Sequence, residues 1–138
     1  MALESLWGPT GVILGFQMTI FSWRLLEERK VGYRGKTPWL TPSDYLNLSG
    51  MLILVFGIYL LPILDIINLK ISKILFGLGV FIFIGQALGT AAHYQLFNIT
   101  KHRKFDWFPK QEKVVISLVV LIAIAYLVFA VMEINGMT

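Results

Sequence analysis

The chain has 138 residues, 57% hydrophobic and 14% charged, with 12 Lys and Arg against 8 Asp and Glu, a formal net charge of +4. So apolar a chain of this size cannot cover itself with a soluble domain's surface, and lipid is its expected solvent. Because the positive charge lies between apolar segments, topology explains it better than a nucleic-acid surface does, and no nucleic acid is expected as a partner. The absence of cysteine excludes disulfides, thiolate metal sites, iron–sulfur ligation and cysteine nucleophiles.

A span needs roughly 20 mainly apolar residues to cross about 30 Å of hydrocarbon. Residues 6–26, 45–64, 72–97 and 114–132 are stretches of this kind, and they lack the alternation of a barrel strand, so each reads as a helix. No Lys or Arg precedes the first stretch, and its apolar part is long and followed by Arg24, so it reads as a span and not as a cleavable signal. Its Gly11 and Gly15 stand at small-xxx-small (GxxxG) spacing, and Thr10, Gln17 and Arg24 recur one heptad apart along another face.

The first connection carries Arg29, Lys30, Arg34 and Lys36, and ends on Thr41-Pro42-Ser43-Asp44. That tetrapeptide reads as a cap, a proline at the first helical position and an acidic first turn. Pro62 marks the other end of the second span, and the second connection has only Lys70 and Lys73. In the third span Gly77, Gly85 and Gly89 share a face, beside a polar stripe of Gln86, Thr90 and His93. The third connection is again basic, with Lys101, Arg103, Lys104, Lys110 and Lys113, and Pro109 with Glu112 marks the start of an almost uniformly apolar fourth span. Neither terminal segment carries Lys or Arg. The positive-inside rule therefore puts both basic connections in the cytoplasm and both termini outside it. Each half is thus a span, a basic aromatic loop, a Pro-marked start and a second span, a pattern with too few residue matches to establish a duplication.

The glycines are expected to bring the first and third helices close, to each other or to a partner. The polar stripes are expected to face inward, because polar groups facing lipid would cost several kcal/mol. Interhelical hydrogen bonding, worth about 0.6–2 kcal/mol per contact, is favoured for them over a substrate path. His93 is the ionisable group deepest in a span. The other histidine, His102, lies in a loop, so neither a bis-His haem nor a three-ligand metal site can be built from the spans of this chain alone. The carboxylates all read as lying at the two faces: Glu4, Asp65 and Glu133 at one, Glu27, Glu28, Asp44, Asp106 and Glu112 in the basic loops. No acid–base pair, catalytic triad or phosphate loop is recognisable, and no mid-membrane glutamate of the small-multidrug-exporter kind. Asn47-Leu48-Ser49 and Asn98-Ile99-Thr100 match a glycosylation triplet but fall at the cytoplasmic interface, and read as chance.

The reading is a single all-α membrane domain over residues 1–138, four transmembrane helices in an up-down bundle of the cell membrane. Its expected function is that of a non-catalytic accessory subunit of a larger membrane complex, such as a membrane-bound oxidoreductase or respiratory-type assembly, with other membrane subunits as partners. Arg29, Lys30, Arg34, Lys36, Lys101, Arg103 and Lys104 would meet anionic lipid or a partner. Lipid is the expected companion, and no catalytic residue, metal or cofactor is assigned to this chain alone. The alternative is a small homo-oligomeric channel or transporter whose path is lined by Gln17, Gln86, Thr90 and His93.

Overall fold

A computed structural model describes residues 3–32, 40–94, 96–97 and 107–136. These form four helical rods with no strand among them: α1 Glu4–Gly32, α2 Pro42–Ile63, α3 Leu69–His93 and α4 Lys110–Ile134. By length and composition α2, α3 and α4 are long and apolar enough to cross a membrane. α1 differs from the expectation of an equal fourth span. It is the longest rod, 29 residues or about 43 Å, but Gln17, Arg24 and a series of small residues dilute its apolar content.

The other boundaries also depart from the expected spans for local reasons. α2 begins three residues before its apolar run because Thr41 is extended (φ −85°, ψ 163°) and Pro42 supplies the fixed φ of the first helical position. Pro62 stands one residue before the end of α2 at Ile63, close to the expected 64. It lacks an N–H and its ring crowds the carbonyl four residues earlier, and the chain accommodates it by widening Val55–Leu60 into a π turn, with the Leu61 N–H donating to Phe56 O. α3 starts at Asn68, whose Oδ1 accepts from the Ile71 N–H at 3.0 Å, and stops at His93, short of the expected 97.

α3 lies at the centre of the packing, against α2 on one side and α4 on the other, while α1 closes over α2 and α3. Glycine lets α3 pack this closely. A Cβ at Gly85 would lie 2.6 Å from Val119 Cγ1, one at Gly77 would meet the Tyr126 hydroxyl, and one at Gly79 would overlap Leu54. Leu6, Leu54 and Ile58 form an apolar cluster near the start of α1, closed by the Tyr59 hydroxyl donating to Trp7 O at 2.8 Å. Apart from Thr10 and Ser72, the polar buried residues lie from the middle of the bundle toward the other end.

Candidate functional site

Arg24, near the end of α1, is 1% exposed. Its Nη2 lies 3.0 Å from Glu28 Oε1 and 3.4 Å from Asp44 Oδ2, its Nε donates to Asp44 Oδ1 at 3.4 Å, and its Nη1 donates to the Tyr94 hydroxyl. Asp44 also closes the start of its own helix, where Oδ2 accepts from the Thr41 N–H at 2.8 Å and the Thr41 hydroxyl at 3.0 Å. One carboxylate therefore caps α2 and neutralises a cation from α1. Such pairing is what allows a guanidinium to leave water.

A second pair lies between α3 and α4. His93 Nδ1 is 2.8 Å from Glu112 Oε2, and Glu112 Oε1 accepts from the Ser43 N–H at 3.0 Å and from the Ser43 hydroxyl. Glu112 is wholly buried. It is the third residue of α4, and the capping residue before that helix is Pro109, which has no N–H to offer it. The carboxylate is thus free to tie α4 to α2 and α3.

These pairs correct the placement of Glu28, Asp44 and Glu112 in the basic loops, since all three lie within helices and are buried. A residue in the first turn of a helix has the sequence signature of a cap whether its second oxygen faces water or another helix. The partners of Asp44 and Glu112, far off along the chain, are not visible from spacing, whereas Glu28 meets Arg24 one turn earlier on its own helix.

The inward stripe on α1 is complete: Thr10 and Gln17 are 0% exposed, in line with Arg24. On α3, Gln86 is buried and its Nε2 donates to Thr90 Oγ1 at 3.1 Å, while His93 turns to Glu112. Asn47, which the sequence offered only as a chance glycosylation match, is 1% exposed and donates through Nδ2 to Gln17 O at 3.1 Å. The stripes of α1 and α3 therefore converge on Asn47 of α2. Several of their polar atoms have no hydrogen-bond partner among the described residues: Gln17 Oε1 and Nε2, Asn47 Oδ1, Gln86 Oε1 and Thr10 Oγ1.

The glycines do not join α1 to α3. Gly77 and Gly85 face α4, Gly89 lies between Ser43 of α2 and Ile116 of α4, and Gly11 touches only the Tyr59 hydroxyl, with 3.6 Å to an added Cβ. Gly15 has nothing within 4 Å. Among the basic residues, Arg29 and Lys30 are exposed at the end of α1, with Lys30 Nζ 2.6 Å from Glu27 Oε1. Arg34, Lys36, Lys101, Arg103, Lys104, His102, Asp106 and Asn98 lie outside the described residues.

Fold and interior together define an all-helical protein with three helices compatible with membrane insertion. No protein-family model, curated protein or solved structure matches the chain.

Proposed function

We propose that this chain is a four-span protein of the cell membrane and a non-catalytic accessory subunit of a larger membrane complex, with α1 as the helix that meets the partner. The basic ends then lie in the cytoplasm against anionic lipid, with Arg29 and Lys30 at headgroup depth, and the termini lie on the opposite side.

One observation carries this reading. Within α2 and α3, a Cβ at Gly50, Gly57, Gly77, Gly79, Gly85 or Gly89 would run into a side chain of a neighbouring helix, so glycine stands where helices come close. On α1 the pattern is reversed. Among the described residues Gly8 and Gly15 have nothing within 4 Å of an added Cβ, and with Thr19 and Ser22 they line one exposed face of α1, which Val12 shares. The Thr19 hydroxyl donates to its own helix at Gly15 O, 2.8 Å away, leaving that face smooth. A flat, weakly apolar helix face gains little from lipid and much from close contact with another helix. The alternative, a pathway shared between copies, finds less support, because Gln17 and Gln86 are enclosed within one chain.

The cysteine-free sequence makes the test clean. Single variants Gly15→Cys and Thr19→Cys, with Ile124→Cys on α4 as control, would be cross-linked in native membranes. The expected outcome is a discrete hetero-adduct from the α1 positions and none from the control. Adducts only between identical chains, or a solitary chain after gentle solubilisation, would sink the proposal.

A further inference from the structure

The pair between α3 and α4 differs chemically from the pair between α1 and α2, because its base can lose its charge. We propose that His93 and Glu112 form a proton-controlled latch, closed on Ser43 of α2 while the imidazole carries a positive charge and released when that proton leaves.

The closed form is built around an ionised carboxylate. Glu112 Oε1 accepts from the Ser43 N–H at 3.0 Å and from the Ser43 hydroxyl, and Oε2 lies 2.8 Å from His93 Nδ1. Three donors on two oxygens suit a carboxylate that only accepts, so a proton shared by the pair belongs on the imidazole. Neither side chain is open to water: Glu112 is 0% exposed and His93 8%.

The charges around the pair give that proton its weight. On α2, Ser43 is neutral and Asp44 is taken up by Arg24 and the Thr41 cap. On α3, the Tyr94 hydroxyl accepts from Arg24 Nη1. From α1 come Arg24 and Glu28, paired with each other, and Glu27, paired with the exposed Lys30. On α4 itself Lys110 and Lys113 are exposed, with the Lys113 ammonium 5.3 Å from the centre of the Phe108 ring. Among the described residues, the buried carboxyls of Glu28, Asp44 and Glu112 therefore share one buried permanent cation, Arg24, and His93 is the group that offsets Glu112. Release of the Nε2 proton to bulk water leaves the Nδ1 bond in place but removes the compensating charge. An uncompensated carboxylate is costly in a low-dielectric interior.

Position turns this cost into movement. Glu112 is the third residue of α4, so water beyond the helix end is within one turn of it, and the exposed Lys110 and Lys113 flank it. Further along, α4 is held on α3 by Val119 against Gly85 and by the Tyr126 hydroxyl donating to Ile74 O at 3.1 Å, and neither contact carries a charge. At its start the ties to α2 are Glu112 on Ser43 and, just before the helix, Trp107 Nε1 donating to Leu40 O at 3.0 Å. Loss of the imidazole charge therefore swings the first turn of α4 outward from Ser43 while the rest of the helix stays seated.

The test uses the full chain in lipid nanodiscs, with His102→Gln so that His93 is the sole imidazole. Histidine and serine carry nitrogen-15 for NMR, and nitroxides on Tyr45→Cys and Val114→Cys, both exposed positions of a cysteine-free chain, report the distance from α2 to α4. The pH runs from about 5 to 9, which brackets ordinary histidine titration. The His93 imidazole, the Ser43 amide and the label distance are expected to change over one common interval, with the distance longer at the alkaline end. Glu112→Gln keeps an acceptor for Ser43 and has no charge to strand, so the amide and the distance should stay at their closed values at every pH. His93→Gln cannot supply the cation and should hold the longer distance throughout. With Glu112 in place, an imidazole that titrates while the Ser43 amide and the distance stay fixed overturns the proposal. So does an imidazole that keeps one state across the range, or a lengthening that survives Glu112→Gln.

Discussion

The two ends of the chain build the same device in different ways. In α1 and α2, Arg24 near the end of one helix meets Asp44 in the first turn of the next. In α3 and α4, His93 meets Glu112 in the same position, and the separations along the chain are 20 and 19 residues. Gln17 and Gln86 each precede the basic member by one heptad. The partners of the carboxylates differ. Thr41 keeps its N–H, so Asp44 is spent on its own cap and on a cation that is always charged. Pro109 has none, so Glu112 reaches Ser43 on α2 as well as a histidine. Asp44 clasps one hairpin, with Arg24 alone reaching on to the Tyr94 hydroxyl at the end of α3, whereas the Glu112 carboxylate itself ties three helices together.

Replacing Glu112 with Leu tests this contrast most severely. It strands His93 and the Ser43 N–H, and should lower stability by about 3–5 kcal/mol, measured by denaturant unfolding in mixed micelles. A loss as small as that of a surface substitution would show that the tie does not hold the bundle. Asp44→Asn should cost less, about 1.5–3 kcal/mol, because Arg24 retains Glu28 and Tyr94. If it proved the more damaging of the two, the roles of local clasp and global tie would be reversed. The glycines give a paired comparison. Gly85→Ala forces a methyl against Val119 and should cost about 1–3 kcal/mol, read as a fall in Tm of the isolated chain. Gly15→Ala meets nothing in the isolated chain and should stabilise it by about 0.4–1 kcal/mol. Also among the small effects, Thr41→Ala removes one hydroxyl donor from Asp44 and should cost about 1 kcal/mol, leaving histidine NMR signals from His93 unmoved. A shift of those signals would show that the two pairs communicate.

Much of the arrangement could be read from residue order. The apolar stretches, the helix starts at Pro42 and Pro109, and the inward turn of Thr10, Gln17 and Arg24 follow from hydropathy and heptad spacing alone. The glycine faces were visible too, but not which helix each would meet. A face is a local property of 3.6-residue periodicity, whereas a neighbour depends on how four rods pack. The same limit hid the candidate site. Asn47 carried no signal beyond a chance triplet, and it matters because the antiparallel register of α2 and α3 sets it level with Gln86 and against Gln17.

The sequence by itself determined that this chain is helical and suited to lipid, where the second and fourth helices begin, and which sides of the helices are small, polar or apolar, since each of these is settled within one or two turns. Tertiary structure alone decided that Asp44 and Glu112 are buried, that the glycines of α3 are met by α2 and α4 while Gly8 and Gly15 of α1 stay bare, and that Asn47 is bonded to Gln17 of α1. Those outcomes depend on contacts between residues up to 69 positions apart, and only close packing brings them within a hydrogen bond of one another.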